Sequence, residues 1–278
     1  MGERKWLLTQ NAELRPFGIY NWTLPALGAN LDDGRSVLVC PQAGACAAFC
    51  YARNGTYLFP KVKAAHARNL KLVLDDLDKF KGDMIYEAAN RVKPGGWVRI
   101  HDSGDFFSDE YLEAWMDIAR IVPGVTFYCY TKEVERFKRV VERQYWSVGA
   151  GKYMSVRPAN FLYLFSMGGK QDHLIDRDKD RHAEVFPNME ALLAAGYQSQ
   201  EGDDRQCVTL PTLRIGIVAN NIKHFNKRLA GKTFGEAELA REAKLAQRQA
   251  KVQPTTGEPM ALDEVLDGQL ALVPWDGC

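Results

Sequence analysis

Residues Trp97 to Asp105, WVRIHDSGD, alternate apolar and polar side chains and then break into a turn. In an extended strand Val98 and Ile100 face one side, while Arg99 and His101 face the other. The stretch VTFYCYTK, residues 125–132, repeats the pattern. Val125, Phe127 and Cys129 share an apolar face, and Thr126, Tyr128, Tyr130 and Lys132 share the opposite one. Between the two, Ser108 is placed to cap a helix, DEYLEAWMDIARIV, with Asp109 and Glu110 in its first turn. Pro123-Gly124 ends that helix.

Working outward, GRSVLVCP predicts a strand over Ser36 to Val39, and Leu70, Val73, Leu74 and Leu77 mark helical spacing between Lys61 and Val92. Downstream come a charged helix (KEVERFKRVVERQ), a strand (FLYLFSM), a short helix (MEALLAAGY), a late strand (LRIGIVAN) and a helix near residues 233–252. The alternating charges of IDRDKDRHAEVF read as a solvated surface. Strands alternating with helices predict an α/β fold with a parallel sheet. A polar, aromatic second face suits a TIM-like or partial (β/α) barrel better than a doubly wound sheet, which is apolar on both faces. The expected organisation is a barrel over residues 1–230, then a C-terminal helical extension and polar tail over 231–278. In such barrels the chemistry sits at the C-terminal ends of strands. Those ends carry Cys40, the run His101-Asp102-Ser103-Gly104-Asp105, and Thr131-Lys132.

Within 278 residues, 36 Lys and Arg balance 35 Asp and Glu, which gives no general pull toward nucleic acid or an anionic membrane. The start, MGERKWLLTQ, has neither a secretory signal nor the residue-6 Ser or Thr of a myristoylation site, and no apolar run is long enough to span a bilayer. The expected setting is therefore cytoplasmic, where thiols stay reduced.

Three of the six cysteines fall within CPQAGACAAFCY: Cys40, Cys46 and Cys50. Zinc sites use C-x-x-C pairs, and the chain has none; an iron–sulfur cluster is wider than one ion and tolerates looser spacing. Iron–sulfur, zinc and plain buried thiols remain the three readings of this loop. Cys129, on its strand's apolar face, reads as a core thiol. Cys207 in DDRQC is a candidate fourth ligand, and Cys278 is terminal. His101 is a candidate donor to a substrate or iron ligand, against a histidine satisfied within the fold. Asp102 and Asp105 stand beside it, Asp105 also suiting a turn or cap. Lys132 is a candidate anion binder, against a surface lysine packed on Tyr130. Arg99 needs an acidic partner, with Asp102 or Glu13 proposed. Ser166, Met167, Gly168 and Gly169 end a strand where a backbone can approach a ligand.

In order, C-P-x-A-x-x-C-x-x-x-C-Y-A, R-N-G-T-Y, R-N-L, V-R-I-H-D-S-G-D-F-F-S-x-E-Y-L-x-x-W and F-Y-x-Y-T-K resemble the phage "gene product 88" family, from Cys40 to Lys132. More distantly, a cysteine cluster ending in Cys50-Tyr51, a strand running into Gly104-Asp105 and a strand ending in Thr131-Lys132 resemble radical S-adenosylmethionine enzymes. That resemblance implies a partial barrel and a 4Fe–4S cluster on Cys40, Cys46 and Cys50, with S-adenosylmethionine on the fourth iron. It also implies cofactor contacts at Tyr51 and Ser166, and chemistry at His101, Asp102, Asp105 and Lys132. The spacing here, C-x5-C-x3-C, departs from the usual C-x3-C-x2-C. The competing readings are a non-catalytic iron–sulfur protein with a small-molecule or host macromolecular partner, and a nucleic-acid binder using RFKRVVERQYW.

Overall fold

The computed structural model describes residues 6–219 and 222–252. The described residues up to 241 form one compact unit, and those from 242 belong to a second. The polar tail after residue 252 and Cys278 lie outside the described residues.

Seven parallel strands build the main sheet: β1 (Ile19–Trp22), β2 (Trp97–Ile100), β3 (Thr126–Thr131), β4 (Phe161–Ser166), β5 (His182–Phe186), β6 (Gln198–Ser199) and β7 (Arg214–Val218). Their order is β1-β2-β3-β4-β5-β7-β6. From β1 to β5 each strand is laid down beside the one before it, as repeated right-handed crossovers require when they always advance the same way. The described strands form an open sheet with β1 and β6 at its edges, not a closed barrel.

Two expectations fail in instructive ways. Ser36–Leu38 pairs antiparallel with Gly28–Asn30 in a hairpin outside the sheet, so the first sheet strand is β1 and not the segment before Cys40. Conversely, His182–Phe186, read as part of a solvated surface, is a largely buried sheet strand. It pairs with β4 and β7 on its two sides, which buries Ala183 and Phe186.

The predicted helix between Lys61 and Val92 is two helices, α1 (Pro60–Asp75) and α2 (Leu77–Arg91). Asp76 divides them, its carboxylate accepting from Lys79 N at 2.9 Å as the cap of α2. Helix α3 (Asp109–Ile121) begins as expected, with Ser108 Oγ accepting from Tyr111 N at 3.2 Å. Helix α4 (Val134–Val140) follows β3, and α5 (Met189–Ala194), α6 (Gln206–Thr209), α7 (Lys223–Leu229) and α8 (Phe234–Val252) complete the set.

The two faces of the sheet bury different groups. Val98, Ile100, Phe127, Cys129, Phe161 and Phe165 join residues of α1, α2, α3 and α4 in the larger core. Tyr128 and Leu164, with Leu162 and Tyr130 packed against them, form a second core with Leu14, Cys207 and Ile215. The alternation read from strands β2 and β3 thus corresponds to two separate cores. On the second face Arg99 pairs with Asp204 at 3.3 Å, so its partner is neither Asp102 nor Glu13. Asp204 also accepts from Tyr128 Oη, and Gln200 from Tyr130 Oη, so the segment between β6 and α6 covers this face.

Candidate functional site

The cysteine loop lies over the C-terminal ends of β3 and β4. Short helical turns at Ala45–Ala48 and Tyr51–Arg53 fold it back on itself. Its backbone is pinned at several points. Cys40 N donates to Leu27 O at 3.0 Å and Cys46 N to Gly168 O at 3.1 Å, while Lys170 N donates to Gln42 O at 2.9 Å. Gln42 N donates to Glu133 Oε1 at 3.2 Å, just beyond the end of β3. Ala45 N donates to Glu238, a buried carboxylate of α8 that Arg241 also engages. A side chain at Gly44 would overlap that carboxylate and have to push it aside, away from Ala45 N. Gly169 plays a similar part: a Cβ would press on Gln42 O and the Lys132 side chain, each at 3.0 Å. Gly169 therefore lets the cysteine loop and Lys132 approach the end of β4.

All three loop thiols are free and partly exposed. They stand within electrostatic reach of one another, and Cys46 and Cys50 within reach of Lys132. Burial pushes all three upward, Cys46 to about 11 even though Lys132 opposes the shift. As thiols they are protonated at neutral pH. Among the described residues no three His, Cys, Asp or Glu side chains are grouped as a single metal ion would require.

Lys132 and Ser166 come together as neighbours. Lys132 Nζ donates to Ser166 Oγ at 2.8 Å, and to the carbonyls of Ser166 and Met167 at 3.2 Å each. Its ammonium thus belongs to the end of β4, beneath the cysteine loop, instead of lying on the outer surface over Tyr130. Asp105 is buried and accepts three bonds: from Phe106 N at 2.8 Å, Thr131 Oγ1 at 2.7 Å and Lys132 N at 2.9 Å. It ties the turn after β2 to the end of β3. Burial raises its carboxyl above the usual range, against the pull of those donors. Glu133 is buried beside it and pushed up to about 7, mainly by desolvation and then by Asp105.

His101 is displaced from the face that strand alternation predicts. Its backbone is left-handed, φ 64°, which breaks the alternation at the end of β2. The ring packs 4.6 Å from Phe106 and its Nε2 lies 2.8 Å from Tyr111 Oη, inside the helix-side core. Burial there lowers its pKa to about 3, so the imidazole is neutral. Asp102 goes the other way. Its carboxylate accepts from Asn21 Nδ2 at 3.1 Å, from Tyr57 Oη at 2.9 Å and from Thr23 Oγ1, while its backbone carbonyl accepts from Tyr51 Oη. Tyr51 therefore links the loop, one residue past Cys50, to the end of β2. Cys207 is fully buried in the second core, where Asp204, Tyr130, Arg99 and Arg181 are its electrostatic neighbours; it does not join the loop thiols.

Sequence reading missed Glu238, Glu133 and Asp172. Asp172 accepts from Gly168 N at 2.7 Å and Gly169 N at 2.9 Å, holding the strand-end turn. A buried glutamate in a charged helix such as α8 leaves no periodic signal, because it acts across more than 190 residues of chain, on Ala45 N.

The family model for Gene product 88 matches residues 5–249. The chain belongs to the Gene product 88 family. The Gene 88 protein of Mycobacterium phage L5 is 35% identical over 101 residues, 34% of this chain and 42% of that protein. The Gene 88 protein of Mycobacterium phage D29 is 31% identical over 102 residues, with the same shares. The matched stretch spans less than half the length of either relative. No solved structure matches. Among the described residues of this Gene product 88 protein, no helix is long and apolar enough to cross a membrane.

Proposed function

We propose that this Gene product 88 protein is an iron–sulfur protein on a partial (β/α) barrel, with Cys40, Cys46 and Cys50 holding a 4Fe–4S cluster and S-adenosylmethionine as ligand of the remaining iron. The observation that carries the reading is the convergence of three thiols and one ammonium over the carboxyl ends of β3 and β4. Three thiols that reach one another electrostatically, with no C-x-x-C pair among them, suit a cluster better than zinc. The unidirectional strand order from β1 to β5 supports the barrel part of the proposal, since helices α1 to α4 between those strands all pack on one face of the sheet.

The chemistry of the residues suits such a group. Binding would displace three thiol protons, and soft thiolate ligands are what iron–sulfur clusters take. Lys132, held by Ser166 and Met167, offsets part of the resulting negative charge. When bound and reduced, the cluster supplies single electrons. The chain's own part is to position: Asp105 locks the β2 and β3 ends together, and Tyr51 fixes the loop's exit on the Asp102 carbonyl.

A non-catalytic cluster is the second reading, favoured by one observation. Asp105 and Lys132 spend their hydrogen bonds on the protein, and His101 is in the core, so none of the three is free to shuttle a proton. Reduced, reconstituted protein incubated with S-adenosylmethionine separates the two. Formation of 5′-deoxyadenosine and a changed electron paramagnetic resonance signal support the first, and a bound cluster with neither supports the second. A folded protein that takes up no iron overturns both.

A further inference from the structure

The near-balance of charge over the whole chain hides a segregation. Residues 34–74 hold six Lys and Arg and no Asp or Glu, and residues 205–235 hold six more, again with none. The first stretch contains the cysteine loop and nearly all of α1, and the second contains α7. They meet at Phe49, whose ring lies 6.2 Å from that of Phe225 and 5.6 Å from that of Phe234, with the Arg228 guanidinium 5.7 Å above it.

Cations therefore surround the loop. Arg53 Nη1 donates to Ala47 O at 3.3 Å and stands within electrostatic reach of Cys50, and Lys170 Nζ donates to Pro41 O at 2.8 Å. Lys61 and Lys63 extend the positive surface along α1, and Lys223 and Lys227 extend it along α7 beside Arg228. All are exposed, and among the described residues none of them forms an ion pair with Asp or Glu. The carboxylates around the loop face inward. Asp105, Glu133 and Glu238 are buried, and Asp172 accepts from Gly168 N and Gly169 N. Glu236, exposed at the start of α8, accepts from Thr233 N at 2.8 Å. The basic stretch RFKRVVERQYW is the reverse case: Arg136 and Arg139 pair with Asp109, Lys138 with Asp180 and Arg143 with Glu113, so its charge is already neutralised.

Apolar side chains stand in the open among the unpaired cations, Phe59 58% exposed and Leu58 49% exposed, between Arg53 and Lys61. A free ring beside free cations suits a single-stranded nucleic acid, whose phosphates take the cations and whose bases stack on the ring. The cations are spread over a loop and two helices, without the continuous exposed apolar face of a membrane-bound helix, which favours a chain of phosphates over a lipid surface.

We infer that the rim of the cysteine loop binds a single-stranded nucleic acid, with Arg53, Lys61, Lys63, Lys223, Lys227 and Arg228 on its phosphates and Phe59 against a base. This names a partner for the loop of the proposed cluster, yet the charge of the rim does not depend on the cluster. Strand binding by a chain that takes up no iron would support the inference while overturning the cluster.

The test titrates the full-length protein, before and after anaerobic reconstitution, into fluorescently labelled oligothymidine DNA and oligouridine RNA of about 20 nucleotides, and follows anisotropy. Saturable binding of at least one strand is expected, and the two arms show which sugar is preferred. The logarithm of the binding constant should fall against the logarithm of salt concentration with a slope of about −3 to −4, as about four to six neutralised phosphates give. The double variants Lys61→Glu with Lys63→Glu, and Lys223→Glu with Lys227→Glu, should each weaken binding at least tenfold. Phe59→Ala should weaken it about fivefold or more. Lys93→Glu, an exposed site before β2 at the opposite end of the sheet, should leave binding unchanged. No saturable binding, binding that ignores salt, or an equal loss in Lys93→Glu would each overturn the inference. So would equal competition by poly-L-glutamate, which would make the rim a surface for acidic protein, or by phosphatidylserine vesicles, which would make it a membrane surface.

Discussion

Cys40, Cys46 and Cys50 sit partly exposed on a loop of short turns, whereas Cys129 and Cys207 are fully buried, one on each face of the sheet. Burial raises the pKa of all five, so desolvation does not distinguish them. Their neighbours do. Each loop thiol has two others within reach, with the Lys132 ammonium beside Cys46 and Cys50. Cys129 packs among Phe127, Phe161 and other apolar groups of the helix-side core, its Sγ 3.9 Å from Leu162 O, and Cys207 lies among Tyr128, Leu164 and Ile215. A cysteine's role follows from what the backbone brings to its sulfur: the loop gathers three thiols beside the Lys132 ammonium, whereas Cys129 has one other thiol, Cys207, within reach, and Cys207 has Arg99, Arg181 and the Tyr130 hydroxyl as partners inside a core.

The largest effect that can break this comparison is on iron. Cys46→Ala is expected to lose nearly all bound iron, while Cys207→Ala keeps it; iron retained by the first variant or lost by the second would erase the distinction. Asp105→Ala comes next. It strands three donors at the junction of β2 and β3, and a loss of about 3 kcal/mol or more is expected in urea unfolding. A neutral result would mean that the strand ends beneath the loop are held by something else. Cys129→Ser sharpens the other side of the comparison. Burying a hydroxyl in that core should cost about 1–3 kcal/mol with iron content unchanged.

A further effect is a pH dependence from the core. His101 is lowered by burial from its ordinary 6.5 to about 3, so folding favours the neutral ring. Its contribution is complete above the ordinary value and is lost as pH falls from near 6.5 toward about 3. Unfolding midpoints measured across that window should fall for the wild type. They should fall less for His101→Asn, a residue that tolerates the left-handed backbone. Parallel curves would place His101 in a more solvated setting.

Much of this fold is legible in the residues. The alternation in β2 and β3 separates two real cores, and Ser108 caps α3 as its position suggests. What sequence reading loses is lost for local reasons. Strand β1 is four residues long and carries a polar Asn21 at its centre, so it gives no apolar run. Strand β5 hides behind the charged turn IDRDKDR, and Ser36–Leu38 looks like a sheet strand because a hairpin needs the same alternation. At the site, the thiols, Lys132, Ser166, Tyr51 and Asp102 are visible as strand-end and loop residues. His101 misleads because one positive φ turns a predicted site residue into a core residue. Glu133 and Glu238 act through backbone N–H groups distant in sequence, a relation that only the folded chain reveals.

The most direct test of the central claim is iron and acid-labile sulfide analysis of anaerobically purified protein, with its absorption spectrum. The proposed cluster predicts about four of each per chain and a brown protein that bleaches when Cys40, Cys46 or Cys50 is replaced. A colourless, folded, iron-free protein that stays so after anaerobic reconstitution with iron and sulfide would contradict it.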